Sequence, residues 1–191
     1  MLTADEARRL LGEADLICSA ADIEAALDRM AAELTARLEH ANPLLLSVMT
    51  GAVFFAGQLL PRLAFPLECD YIHATRYRNT TQGHGIDWVI EPRTPVAGRT
   101  VLVLDDILDE GITLVAIKER LLGQGATECL TAVLAEKDIG RAKPIAADFA
   151  GVRLPNRYVF GCGMDVNGAW RNLPAIYALK EVPAGDAVKG L

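Results

Sequence analysis

The chain has 191 residues, 51% of them apolar and 23% charged, a mix that suits one globular domain with room for a sizeable core. Its formal net charge of −6 argues against nucleic acid as the main partner, yet leaves an anionic small substrate open, because a divalent cation or local basic groups can carry the attraction. No apolar stretch approaches the roughly 20 residues of a membrane span, and the charged opening MLTADEARRL lacks a signal-peptide core, so the expectation is a cytoplasmic protein with no membrane partner.

Thr3 followed by Glu6 has capping-box spacing and predicts a short helix to about Leu11. Ser19 with Asp22 predicts a second start, after which Ile23, Leu27, Met30, Leu34 and Leu38 recur at helical spacing, as on a helix packed against a sheet. The apolar run 44–49 predicts the first core strand. Thr50-Gly51 follows, then a helix carrying Phe54, Phe55, Leu59 and Leu60 before Pro61. That succession of strand, turn and helix offers a possible anion site at the turn. Residues 67–77 predict a strand and residues 86–90 a returning one. Between them, residues 78–85 are polar and Gly-bearing without periodicity, which predicts a long hairpin whose mobile tip works as a lid. His84 on that tip reads as a solvated histidine rather than a general base.

Residues 100–122, TVLVLDDILDEGITLVAIKERLL, carry the most information. Residues 101–104 form an unbroken apolar run, which suits a strand buried on both faces of a parallel sheet. The run is expected to stop at Asp105-Asp106. After Asp109-Glu110-Gly111-Ile112-Thr113, the positions Leu114, Ile117, Leu121 and Leu122 give a helical spacing. A helix opening after a Gly/Thr turn presents free N–H groups and the positive end of its dipole, so it can receive a phosphate without a lysine. The acidic pair can accept hydrogen bonds from two neighbouring hydroxyls or hold Mg²⁺ through water. A ribose 5-phosphate has both features. A metal-dependent phosphatase also uses a strand-end acid, but usually as D-x-D.

Gly123 and Gly125 supply stop signals, and residues 128–135 predict another core strand ending at Glu136-Lys137, where an open α/β sheet collects ligands. Residues 148–152 and a short strand region at 154–161 lead to Cys162-Gly163-Met164-Asp165 and, six residues after that acid, Arg171. Residues 174–179 predict a final edge strand, and the tail from 183 reads as frayed. The four cysteines, Cys18, Cys69, Cys129 and Cys162, have no metal spacing and read as buried free thiols.

VLVLDDILDEGITL resembles the phosphoribosyl-pyrophosphate (PRPP) loop of the type I phosphoribosyltransferases. Lys137, Asp148-Phe149, Arg157-Tyr158-Val159, Asp165 and Arg171 follow in the order and at closely matching spacings of that family's hypoxanthine-guanine branch, and the resemblance spans about residues 15–180. It implies an α/β fold: a parallel sheet flanked by helices (core about 40–180), a small hood over the base from the N-terminal segment and about 150–180, and a flexible lid hairpin. It implies that Asp105 and Asp106 meet the ribose hydroxyls, and that Glu110, Gly111, Ile112 and Thr113 hold the 5-phosphate. Thr50 and Gly51 would contact pyrophosphate, with a non-proline cis peptide at Met49–Thr50 or Thr50–Gly51. Tyr77 would stand at the base of the lid, and Arg171 would neutralise the leaving group. Lys137, Tyr158, Val159 and Asp165 would meet the purine, Asp109 would act as the catalytic acid/base, and Asp105, Asp106 and Asp165 would hold Mg²⁺.

The implied reaction is purine salvage: PRPP with hypoxanthine or guanine gives IMP or GMP and pyrophosphate, on a homodimer or homotetramer. The chemistry agrees on one point independently, because a lysine can only donate and so suits the O6 acceptor of a 6-oxopurine and opposes the amino group of adenine. Three departures stand out. Glu110 occupies a position more often Thr or Ser, Asp138 one that is often basic, and Val166 one that is often aromatic. A xanthine-preferring or pyrimidine enzyme is the rival within the family, and a non-catalytic PRPP-sensing regulator the rival outside catalysis. The acidic charge and the lack of room for an added nucleic-acid-binding module weigh against the regulator.

Overall fold

Two capping boxes open the chain. In the computed structural model, which describes residues 2–76 and 86–180, Thr3 accepts from the Glu6 N–H while the Glu6 carboxylate accepts from the Thr3 N–H at 2.7 Å, and α1 runs Ala4–Glu13. After the short strand β1, Asp15–Cys18, Ser19 and Asp22 repeat the device at the start of α2, Ala20–Leu38. Each box satisfies amide groups that a helix start leaves unpaired. α2 buries the predicted stripe, Ile23, Leu27, Met30, Leu34 and Leu38.

The chain continues with β2 (Leu44–Val48), α3 (Val53–Leu59), β3 (Glu68–Arg76), β4 (Ile86–Ile90), β5 (Thr100–Leu108), α4 (Ile112–Gly123), β6 (Glu128–Lys137), β7 (Phe149–Leu154), β8 (Val159–Phe160) and β9 (Ile176–Ala178). Six strands make one sheet in the order β4-β3-β2-β5-β6-β7. All neighbours in it are parallel except β3 and β4, whose antiparallel pairing is the predicted hairpin. The hairpin tip, including His84 and the expected lid, and Tyr77 at its base lie outside the described residues, as does the tail from 183.

Both faces of this sheet are covered, which is why its central strands read as continuous apolar runs. Leu45, Leu102, Leu104 and Leu134 pack with α2 and α3, while Leu44, Leu46, Val101, Val103 and Val133 pack with α4. The chain runs outward from β2 through β3 to β4, then returns to β5 on the other side of β2 and runs outward again through β6 and β7. The strand order therefore reverses between β2 and β5, and the crevice beyond the carboxyl ends of two such strands is where open α/β sheets bind ligands.

Three sequence expectations are corrected. β5 does not stop at Asp105-Asp106 but continues to Leu108, with Asp105, Ile107 and Leu108 still in register with Val133, Ala135 and Glu136 of β6. The acids therefore stand on the strand itself, held by its ladder, and not in a loop. The helix after them starts at Ile112, one residue before Thr113, because Gly111 makes the turn. The expected edge strand at 174–179 is instead the middle of a second sheet, β1-β9-β8, all antiparallel. Arg157 fastens that small sheet, donating to Asp15 Oδ2 at 2.5 Å and to the Leu179 carbonyl at 2.7 Å.

Ser19→Ala removes one capping box from the helix that, with α3, covers one face of the sheet. It is expected to cost about 1 kcal/mol and to lower the melting temperature by about 2–4 °C, measured by circular dichroism. An unchanged melting temperature would mean that α2 does not depend on its cap.

Candidate active site

A cavity of about 320 Å³ opens at the carboxyl ends of β2 and β5. Its walls include Thr50 and Gly51 from the turn after β2, Asp105, Asp106, Asp109, Glu110, Gly111 and Thr113 from β5 and the start of α4, and Arg171 from the C-terminal part of the chain. His73 and Thr75 of β3 also face it; nothing in their sequence context marks them, since they sit in an ordinary strand pattern. Ile112 is the first residue of α4 but is not part of the wall.

α4 differs from the first two helices in having no side-chain cap. Gly111 precedes it with φ of 83°, a left-handed conformation that glycine adopts without cost. The first intrahelical bond runs from the Val115 N–H to the Gly111 carbonyl, so the N–H groups of the first turn have no partner within the helix. They are available to an anion beside Thr113.

The acidic pair is tightly enclosed. The Asp106 N–H donates to Asp105 Oδ1 at 3.0 Å. Gly51 lies so close that a Cβ built on it would fall 2.1 Å from Asp106 Oδ2. On its far side Gly163 packs against the Gly51 carbonyl, where a Cβ would fall at 2.0 Å. The peptide bond Met49–Thr50, leading into this turn, is cis, one of the two positions expected. Burial, and then the charge of Asp106, hold the Asp105 carboxyl well above the ordinary carboxylate range. Burial also raises Asp106, against the opposing pull of its hydrogen bond with Asp105 and of the Arg171 charge.

A second cavity, of about 230 Å³, shares Asp106, Ile107, Asp109 and Arg171 with the first and adds Lys137, Tyr158, Val159, Met164 and Asp165. Lys137 Nζ lies 2.8 Å from Asp109 Oδ2 across this space. Tyr158 is exposed on the wall and its hydroxyl donates to the Asp165 carbonyl at 3.3 Å. Val159 has its side chain in the core. Arg171 links the two cavities: it donates to the Gly163 carbonyl at 2.6 Å and pairs with Asp165 Oδ1 at 2.6 Å. The other Asp165 oxygen accepts from the Gly168 N–H at 2.7 Å.

The sequence-predicted site residues in the described part of the chain thus gather around two adjoining cavities, with Ile112 at the margin. Of the departures, Asp138 accepts from the Gly140 N–H at 2.9 Å, while Lys137 is directed to Asp109. Val166 is buried at a small bridge with Ala169. Glu110 pairs with Arg141 at 2.8 Å, a partner that sequence reasoning missed because the two are 31 residues apart. Asp148 does not face either cavity. It accepts from the N–H and hydroxyl of buried Thr131, joining β7 to β6.

Among the described residues, no three His, Cys, Asp or Glu side chains gather closely enough to hold a metal ion by themselves. The oxygen donors present suit a hard cation that keeps water or ligand oxygens in its shell, as Mg²⁺ does, and the enclosed, charge-crowded pair Asp105-Asp106 gains from such a counter-charge.

The phosphoribosyl transferase domain family matches residues 17–167. Over 161 residues the chain is 38% identical to the hypoxanthine-guanine-xanthine phosphoribosyltransferase of Tritrichomonas foetus, covering 84% of this chain and 88% of that protein. Over 148 residues it is 35% identical to the hypoxanthine-guanine phosphoribosyltransferase of Lactococcus lactis, covering 77% and 80%. A solved hypoxanthine-guanine-xanthine phosphoribosyltransferase superposes with a TM-score of 0.76 at 36% identity, covering 87% of this chain and 94% of that one.

Asp105→Asn is expected to raise the melting temperature of the ligand-free protein, and to do so more at about pH 8 than at about pH 4. Folding raises the Asp105 pKa, so the folded state holds its proton more tightly. The stability from this group is complete below the unfolded pKa near 4 and is lost as pH rises through the folded value. An amide does not titrate. Melts of both proteins across that range check this, and a difference that stays flat with pH would exclude the enclosure of charge as the cause.

Proposed function

Because this chain belongs to the phosphoribosyltransferase family and is an enzyme of the pentosyl-transferring class, we propose that it transfers the 5-phosphoribosyl group of PRPP to hypoxanthine or guanine, giving IMP or GMP and pyrophosphate. The observation that carries this reading is the pair of cavities that meet at Asp106, Asp109 and Arg171. One presents an uncapped helix start and an acidic pair, suited to a ribose 5-phosphate. The other presents a donor, an aromatic face and a carboxylate, suited to an oxopurine. The relatives named above act on bases of this kind, which supports the same choice here.

In this reading the first turn of α4 and Thr113 take the 5-phosphate. Asp105 and Asp106 accept from the ribose hydroxyls and stabilise the positive charge that grows on the ring as its bond to pyrophosphate breaks. Thr50, Gly51 and Arg171 receive the leaving diphosphate. Asp105, Asp106 and Asp165 are the oxygen donors that would hold Mg²⁺, which when bound neutralises diphosphate charge.

Lys137 reads O6 of the base. One of its three N–H donors is used by Asp109, so two remain for an acceptor on the ring. An amino group at that position leaves a buried lysine facing another donor, a mismatch that discriminates more strongly than shape. Tyr158 stacks on the purine, and the Val159 backbone meets its edge. Asp109, held by Lys137 at the boundary of the two cavities, takes the purine proton as the ring nitrogen attacks. The small sheet β1-β9-β8 is the hood that carries Tyr158 and Val159 over the base, within one domain spanning residues 1–191. A cytoplasmic location and a homodimer or homotetramer belong to the same proposal.

Purified protein with PRPP and Mg²⁺ is expected to release pyrophosphate with hypoxanthine and guanine, not with adenine, and to fall silent with EDTA. A preference for xanthine would keep the ribose site and overturn the base assignment. PRPP binding with no turnover on any base would make the protein a sensor. Asp109→Asn is expected to bind PRPP normally while turnover drops by about a hundredfold or more. Steady-state rates near wild type in that variant would remove Asp109 from its role.

A further inference from the structure

Three basic side chains from the segment that ends β6 and follows it reach back to three successive residues, the last of β5 and the first two of the turn before α4. Lys143 Nζ donates to the Leu108 carbonyl at 2.9 Å, Lys137 Nζ meets Asp109 Oδ2 at 2.8 Å, and Arg141 meets Glu110 Oε1 at 2.8 Å. The same segment packs under Gly111, where an added Cβ would lie 3.0 Å from Ile145 Cγ2 and 3.6 Å from Pro144 Cδ. Turn and segment are therefore one packed unit.

The charge balance gives this grip a purpose. The wall of the first cavity contains Asp105, Asp106, Asp109 and Glu110, and Arg171 is the one Lys or Arg among its described residues. Glu110 stands in the very turn that presents N–H groups to an anion, and an unneutralised acid there opposes a phosphate. Lys137 offsets Asp109 and Arg171 offsets Asp165. Arg141 pairs with Glu110, although it is not part of that wall; it borders another cavity together with Lys143 and Arg153. Arg141 thus bears on the phosphate turn through Glu110.

We propose that Arg141 is a positioning residue that makes Glu110 compatible with phosphate, by holding and neutralising its carboxylate so that the start of α4 and Thr113 meet the ligand without an opposing charge. This rests on the phosphoribosyl reading of the site. The pair is partly solvated, with side chains 68% and 38% exposed, so its influence is several-fold in size and weakens with salt.

The test is a double-mutant cycle on the full chain with Arg141→Ala and Glu110→Thr. In the pyrophosphate-release assay, R141A is expected to raise KM for PRPP about fivefold, with a smaller effect on kcat. R141K should stay near wild type. In the E110T background, R141A should change KM by less than about twofold, because no acid is left to neutralise. Raising the salt to about 0.5 M should shrink the single-mutant effect. The second arm uses inorganic phosphate alone, read as the rise in melting temperature, which R141A should diminish and the double variant regain. That arm needs no turnover. A protein that gains stability from phosphate in this pattern yet transfers no ribosyl group would sink the assigned reaction and leave the role of Arg141 standing. The proposal is overturned by an R141A variant with unchanged KM and phosphate response. It is overturned equally by a loss that persists in full in the E110T background, or by a wild-type protein that phosphate does not stabilise.

Discussion

Two adjacent carboxylates enclosed at the end of a central strand are the constraint around which this molecule is arranged. Asp105 and Asp106 sit where β5 is still paired with β6, so the ladder that buries Val101, Leu102, Val103 and Leu104 also fixes the direction of the acids. A pair of like charges enclosed this closely is costly unless neighbours supply hydrogen bonds or countercharge. The backbone N–H of Asp106 and the guanidinium of Arg171 are the local answers to that cost, while the close approach of Gly51 adds to the enclosure. Gly51 and Gly163 have to lack side chains because the β2 turn, the acid and the C-terminal segment occupy one another's space.

The topology makes this meeting possible. A sheet whose strand order reverses between β2 and β5 leaves their carboxyl ends side by side. The turn after β2 and the turn into α4 therefore open on the same crevice. The remaining wall comes from far along the chain. Arg171 and Asp165 arrive from the segment between β8 and β9, which the small sheet ties back to β1 near the N-terminus. The first strand of that sheet thus helps to set a wall built from residues near the other end of the chain.

Electrostatics in the site follows a simple pattern of opposite charges across boundaries. Asp109 faces Lys137, Glu110 faces Arg141 and Asp165 faces Arg171. In the first two pairs the acid comes from the turn before α4 and the base from the end of β6 or just beyond. Two departures from the family pattern look different in this light. Asp138 serves its own turn through Gly140, while Glu110 is matched by a cation from the neighbouring segment.

Much of this was legible in the residues. The capping boxes at Thr3 and Ser19, the buried stripe of α2, the hairpin strands and the strand-turn-helix unit around Asp105 all rest on local chemistry, which acts over a few residues and so leaves its mark in the sequence. The pattern misled where a strand stops serving the core and starts serving a cavity: β5 turns polar at Asp105 while its backbone pairing goes on. It was also silent about β1, and it did not show that the strands predicted within 154–161 and 174–179 join β1 in a second sheet. A strand of four residues carries no readable periodicity, and the partner of β1, β9, is separated from it by most of the chain. The sequence by itself thus determined most of the elements, the acidic pair and the glycine turn into α4, because those depend on neighbours in the chain. Only the tertiary structure decided which cation meets which acid and how closely Gly51 approaches Asp106, because those depend on distances between segments that folding alone brings together.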